Sequence, residues 1–229
     1  MEVCSVKSKF LACLVVGVAV LLPMSLFAQL AEINPYGGFY WPSSTSGIGT
    51  FQNNQLWGVR GGYYITHGFE VGGNYSWSNH FQPNNSVALS NAAGALGFPQ
   101  GSVHANIWEA EFSYNFGQRN LFGSTALRPY LTGGLGGLTT GISNPSTFVL
   151  NVRPVVTPDN TMIFVPNDTL HSSDTFFTFS YGGGLKAQRL WGPMGAFADI
   201  RGRSIPNFFT SSMGWPELTG GLTFSWGEK

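Results

Sequence analysis

The sequence predicts an all-β fold, an eight-stranded antiparallel transmembrane up-and-down β-barrel. Three observations lead there. Segments of about ten to fourteen residues alternate in polarity along most of the chain, as the strands of a membrane barrel do. Charged residues make up 10% of the chain, against roughly 25% in soluble domains, too few to solvate a free globule well. The connections between the segments alternate between short and long.

The first thirty residues differ in kind from the rest. Lys7 and Lys9 precede an apolar run from Phe10 to Leu22, followed by Pro23 and a small residue at Ala28. This is the layout of a secretory signal peptide, so residues 1–28 are expected to be removed and 29–229 to form the barrel domain. Leu26 lies where a small residue is usual, which leaves the cut open by a few positions, and a retained anchor is the competing reading. Both cysteines, Cys4 and Cys13, lie in the leader, so the mature chain is expected to hold no disulfide and no cysteine-ligated metal. Without Glu2, Lys7 and Lys9, nine basic and ten acidic residues remain. No basic excess recommends nucleic acid as a partner.

Eight strand-like segments follow in order: Glu32 to Trp41, Gln55 to Thr66, Gly68 to Ser78, Val103 to Phe116, Arg128 to Thr140, Asp174 to Gln188, Gly192 to Arg203 and Glu217 to Trp226. The third sets Phe69, Val71, Gly73, Tyr75 and Trp77 against Glu70, Gly72, Asn74, Ser76 and Ser78. In the fourth, Trp108, Ala110, Phe112, Tyr114 and Phe116 oppose Glu109, Glu111, Ser113 and Asn115. The eighth opposes Leu218, Gly220, Leu222, Phe224 and Trp226 to Thr219, Gly221, Thr223 and Ser225. Period two means strand, and one apolar face per strand means a closed sheet or a sandwich.

The predicted long connections are Pro42 to Asn54, Asn79 to Ser102, Gly141 to Ser173 and Ser204 to Pro216. The inner ones are His67, Gly117 to Leu127 and Arg189 to Trp191, of which only the middle one is more than a few residues. Outer-membrane barrels pair long outer loops with short periplasmic turns, and an even strand number returns both termini to the periplasm. Within Gly141 to Ser173, the apolar stretch Phe148 to Val156 is a candidate hairpin extending above the membrane. Paired glycines recur inside the segments, at Gly61 and Gly62, Gly72 and Gly73, Gly133 and Gly134, Gly136 and Gly137, Gly182 to Gly184, and Gly220 and Gly221. They are expected to relieve crowding in a tightly curved sheet.

Tryptophan and tyrosine favour bilayer interfaces. Trp41, Trp57, Trp77 and Trp215 fall near the predicted outer strand ends, and Tyr63, Tyr114, Tyr130, Trp191 and Trp226 near the inner ends, giving two expected girdles. The competing reading places these rings in the core of a soluble sandwich.

The stretches ALRPYLTGGLGG (Ala126 to Gly137), FSYGGGLKAQRLWGPMGAFADIRGR (Phe179 to Arg203) and the terminal GGLTFSWG resemble the small outer-membrane β-barrel superfamily that includes the membrane domain of OmpA. The resemblance covers most of the mature chain, and its specific part is the last hundred residues. It includes a strand ending in an acid and an arginine, matched by Asp199 and Arg201. It implies residence in the bacterial outer membrane, contact with its lipids, and delivery by the barrel-assembly machinery, which reads an aromatic-ended last strand. Here Gly227, Glu228 and Lys229 follow Trp226, a departure from that ending. No domain beyond the barrel is expected.

Arg60, Glu70, Glu109, Glu111, Lys186, Asp199, Arg201 and Arg203 fall on the polar faces. Facing lipid each would be costly, whereas in a narrow lumen four acids and four bases can pair. A charge-paired, plugged lumen is therefore expected, with a narrow ion or solute conduit as the alternative. Catalytic signals are weak. His80 and His104 flank the second long connection, and His171, Ser172, Ser173 and Asp174 end the third, but no nucleophile elbow surrounds them. The histidines lack metal-ligand spacing, so no metal, cofactor or enzymatic activity is expected. A monomeric structural or surface-interaction barrel is the first functional reading, a small-solute channel the second and a lipid-modifying hydrolase the third.

Overall fold

The computed structural model describes residues 31–45, 49–66, 68–82, 102–117, 119–120, 126–143, 147–209 and 211–227. The signal peptide, the His67 turn and most of the second long connection lie outside them. Ten principal strands run in chain order: β1 Ala31–Tyr40, β2 Asn54–Tyr64, β3 Phe69–Ser78, β4 Val103–Asn115, β5 Ala126–Ile142, β6 Thr147–Val156, β7 Met162–His171, β8 Thr175–Trp191, β9 Met194–Phe208 and β10 Ser211–Trp226. Eight close into an antiparallel barrel in the order β1-β2-β3-β4-β5-β8-β9-β10. The ring shuts where β1 meets β10, from Ala31 opposite Trp226 to Tyr40 opposite Glu217. β6 and β7 form a separate hairpin between β5 and β8, over the stretch where a hairpin is expected.

The alternation that marks the strands changes sign along them. On β4, Val103, Ala105 and Ile107 point inward and are buried, as are Glu109, Glu111, Ser113 and Asn115 further along. The outward series runs from His104 and Asn106 to Trp108, Phe112 and Tyr114, so the polarity of both faces inverts between Ile107 and Trp108. β10 inverts between Pro216 and Glu217: Met213 and Trp215 are buried inside, then Glu217, Thr219, Thr223 and Ser225, while Leu218, Leu222 and Trp226 lie exposed outside. β2 inverts where outward Gln55 gives way to Trp57 and inward Leu56 to Arg60. Below this level the barrel is apolar outside and polar inside. Above it the arrangement is that of a water-soluble β-fold.

This inversion corrects one expectation. Ser204 to Pro216 is not a long loop, because β9 continues through it to Phe208 and β10 begins at Ser211. Ile205, Phe208, Met213 and Trp215 bury on the inside while Pro206, Asn207 and Pro216 are exposed. Read for the lipid-facing polarity pattern, such a stretch looks irregular. Pro206 is accommodated because β8 pairs with β9 only as far as Phe179 opposite Ser204, so its missing N–H breaks no ladder there.

The upper storey has its own core. Phe51, Phe81, Phe148, Leu150, Leu170, Ile205, Phe208 and Met213 are almost wholly buried. Phe208 stands edge-on to Phe51 and Phe81, with ring centroids 5.7 and 6.3 Å away, and tilted against Phe176 at 4.8 Å. The feet of the β6–β7 hairpin enter this core through Phe148, Leu150 and Leu170. Its far end exposes Val156, Met162 and Ile163 around a turn in which Asn160 takes a left-handed φ of 66°. The Asp159 carboxylate accepts hydrogen bonds from the Thr157 and Thr161 hydroxyls there, which hold its pKa below the ordinary value.

Some glycines in the wall are explained by their cross-strand partners. Gly137 lies opposite Trp108 and Gly202 opposite Tyr181. A Cβ on either glycine would press on the neighbouring ring, at 2.6 and 2.8 Å respectively. The rings therefore fold across their neighbours, a sheet device that covers backbone a glycine leaves bare.

Ring closure predicts a measurable property. Unboiled protein is expected to migrate differently from boiled protein on a detergent gel. Replacing Phe224 and Trp226 together with alanine should eliminate the unboiled species, since both lie in the closing strand. Unchanged migration of that variant would contradict the dependence of closure on these side chains.

Candidate functional site

Among the described residues, charge concentrates in the lower lumen. All eight sequence-predicted charges, Arg60, Glu70, Glu109, Glu111, Lys186, Asp199, Arg201 and Arg203, are buried on the inner faces of their strands. Glu32, Arg128 and Glu217 join them, giving six acids and five bases. Among the described side chains, no charged residue faces outward from the eight barrel strands.

The charges are organised in three groups. Nearest the chain termini, Lys186 Nζ donates to Glu32 and Glu70, each at 2.8 Å, and to the Tyr64 hydroxyl at 3.3 Å. Gln188 Nε2 donates to the Glu32 carboxylate and, at 3.0 Å, to the same tyrosine. In the middle, Arg60 donates to Asp199 at 2.7 Å and Arg201 Nε to the same carboxylate at 3.0 Å. Arg201 also pairs with Glu111, and the Tyr130 and Thr219 hydroxyls donate to Asp199. The Arg60 guanidinium stacks over Tyr36, 4.1 Å from its ring centre. Uppermost, Arg203 pairs with Glu109 and, through Nε at 2.7 Å, with Glu217. Trp215 Nε1 donates to Glu217 at 2.7 Å, and Asn74 bridges Tyr36 to Glu109.

Such a filling meets the condition for burying charge, namely multiple partners and hydrogen bonds for each ion. Between the lowest and middle groups lies a void of about 20 Å³ lined by Asn34, Arg60, Glu70, Glu111, Lys186 and Arg201. That volume holds about one water molecule. Directly above the uppermost group begins the aromatic core.

Two predicted girdle residues lie elsewhere. Tyr130 and Trp215, each 4% exposed, point into the lumen rather than toward the bilayer. Tyr130 shares the inward register of Arg128 and Thr132 and delivers its hydroxyl to Asp199. Trp215 lies above the inversion level, where the inward residue is the apolar one. Trp41, Trp57, Trp77, Tyr114, Trp191 and Trp226 are exposed on the outside, between 38% and 67%. Glu217 was within reach of the sequence, because it continues inward the series Thr219, Gly221, Thr223 and Ser225. Glu32 was harder to see, since Pro35, Gly37 and Gly38 blur the alternation of β1.

At the outer end, Asp174 Oδ2 accepts the His171 backbone N–H at 2.7 Å and lies 3.5 Å from His171 Nδ1. The Ser172 hydroxyl faces the Ile142 N–H at 3.5 Å. The group serves as a turn that ends β7 and starts β8. Among the described residues, no cluster of three or more His, Cys, Asp or Glu side chains is placed to hold a metal ion.

No family model and no curated protein sequence matches the chain. Among solved structures, Neisserial surface protein A superposes with a TM-score of 0.55 at 13% identity, over 85% of this chain and 96% of that one. The chain has the fold of a small outer-membrane barrel. The N-terminal β-barrel domain of Pseudomonas aeruginosa OprF gives a TM-score of 0.43 at 17% identity, over 85% and 97% of the two chains. The outer membrane enzyme PagL gives 0.39 at 12%, over 84% and 98%. This barrel's upper storey and its β6–β7 hairpin stand above a lower storey in which polar groups face in and apolar groups face out.

Proposed function

We propose that the protein is a closed outer-membrane barrel with a structural or surface-interaction role, belonging to the superfamily that includes the membrane domain of OmpA. The observation that carries this reading is the filled lumen, ion-paired below and packed with aromatic and aliphatic side chains above. A lipid-facing wall is supported by the outward belt of Ile33, Trp57, Val59, Trp108, Phe112, Leu131, Leu135, Phe177, Leu185, Ile200 and Leu222, because lipid is the one solvent in which such a belt is stable without a partner. The protein acts as a monomer, reaches the membrane through the barrel-assembly machinery and needs neither cofactor nor nucleic acid. It is not an enzyme. The hairpin end, with Val156, Met162 and Ile163 exposed, is the part suited to contact outside the cell.

Planar-bilayer recording of the purified protein tests the closed lumen against the channel reading. The expected result is a membrane no leakier than one without protein. Stable unitary conductance from the native protein would favour the narrow-channel reading and remove the plug.

A further inference from the structure

We propose that the outer wall holds one membrane lipid, its acyl chain in a glycine-floored groove on the β10–β1–β2 face and its neutral hydrogen-bonding linkage against Asn53 and Gln55. The proposal rests on the reading that this wall faces lipid. Ala198, Gly220 and Gly37 are direct cross-strand partners on β9, β10 and β1. Gly220 and Ala198 thus present nothing larger than a methyl group at one level, while Gly37 beside them is crossed by the Trp57 ring, which forms one side of the groove. Around that floor stand Phe39, Trp57 and Leu218, 51%, 51% and 46% exposed. The groove between them has a volume of about 490 Å³. It adjoins a recess of about 190 Å³, lined by Phe39, Tyr40, Trp41, Asn53, Asn54 and Gln55. Phe39 and Gln55 line both.

The polarity along this path matches a lipid and little else. Its lower part is apolar, and its upper part carries neutral amides at the level where the outward face of β2 changes from Gln55 to Trp57. Asn54 is already engaged, donating to the His80 carbonyl at 2.8 Å and accepting the Gln55 N–H at 2.7 Å. Asn53 and Gln55 are exposed. With no charged side chain in either lining, the group recognised is an ester, amide or sugar hydroxyl rather than a phosphate. A second barrel is a poor occupant, because a convex wall cannot fill a recess in another convex wall.

Gly220 separates this groove from the glycines explained by packing. A Cβ there would meet only the Phe197 carbonyl oxygen, at 3.4 Å, and its φ lies outside the left-handed range. A larger residue fits the backbone at this position, yet its side chain would occupy the groove. Holding an ordered chain against a pre-shaped apolar surface gains the packing contacts that a rough wall denies to mobile lipid.

The test reconstitutes the full barrel in vesicles that contain a phospholipid with a photoactivatable diazirine in its acyl chain, and maps the adducts by peptide mass spectrometry. Labelling is expected to concentrate several-fold on Phe39, Trp57 and Leu218 over the opposite wall at Leu135 and Phe177. Gly220→Leu should abolish that excess while leaving heat-modifiable migration intact. Ala198→Leu fills the same space from an outward-pointing position and serves if the first variant does not fold. Q55A combined with Asn53→Ala should reduce the excess several-fold. Even labelling around the wall, or an excess that survives both filling variants, would overturn the groove while leaving the membrane-embedded barrel in place. Protection of Trp57 and Leu218 from label, with dimers in the same vesicles, would overturn the lipid as occupant. Absence of label from every wall position would instead remove the lipid-facing reading on which the proposal depends.

Discussion

Replacing Arg201 with alanine is expected to destabilise the barrel by about 3–5 kcal/mol, the cost of leaving buried carboxylates without their cation. Arg201 is 2% exposed and bridges Asp199 and Glu111, which lie on different strands. Arg60 remains bonded to Asp199, but its nearest approach to Glu111 is 3.9 Å, so the loss falls hardest on Glu111. Adding Glu111→Gln should therefore return part of the lost stability, since the stranded group is then neutral. Arg153, exposed on the hairpin, is the control, and its replacement with alanine should change stability by less than about 0.5 kcal/mol. Urea-induced unfolding in detergent micelles measures all of these variants. Equal stability of the Arg201 and Arg153 variants would mean that the lumen does not depend on its ion pairs.

The second large effect is expected in the upper storey. Phe208 is fully buried and meets Phe51, Phe81, Phe176 and Phe209. Truncation to alanine should cost about 3–5 kcal/mol, because the rings around it belong to several connections and cannot close the gap together. The loss should be local in its consequence. Limited proteolysis is expected to cut the β6–β7 hairpin and the upper ends of β9 and β10 in the variant while the lower barrel stays resistant. Uniform resistance would show that the upper core contributes little to holding these segments.

Most of the lower barrel was readable from the residues, and the reason is physical. Where one face is apolar and the other lines a narrow polar lumen, a two-residue period leaves little freedom, and β3 and the latter halves of β4 and β10 carry it without interruption. The inward register of Asp199, Arg201 and Arg203 followed from their apolar neighbours for the same cause. Reading failed where the solvent changes. Trp215 was assigned to the bilayer because tryptophan commonly sits there, yet above Glu217 the outward residues are polar, glycine or proline and the inward ones form a core. Pro206, Asn207 and Pro216 suggested a loop for the same reason, although alternation with inverted sign runs past them. Tyr130 shows a second limit: a phenol suits both an interface and a buried hydrogen bond to Asp199, and composition alone does not choose. Lumen pairs such as Lys186 with Glu32 and Arg60 with Asp199 were beyond the sequence, since they join strands that are not neighbours in the ring.

Those separations bear on how the molecule comes into being. Lys186 meets Glu32 across 154 residues, Arg60 meets Asp199 across 139, and Arg203 meets Glu109 across 94. In a sheet made of the first five barrel strands alone, Glu32, Glu70, Glu109 and Glu111 would have Arg60 and Arg128 as their only cations among the described buried residues. Such an open sheet would leave carboxylates unpaired, a state that is costly wherever they are shielded from water. Closure of the ring and neutralisation of its contents are thereby coupled, since the cations that complete the pairing lie on the strands that complete the barrel.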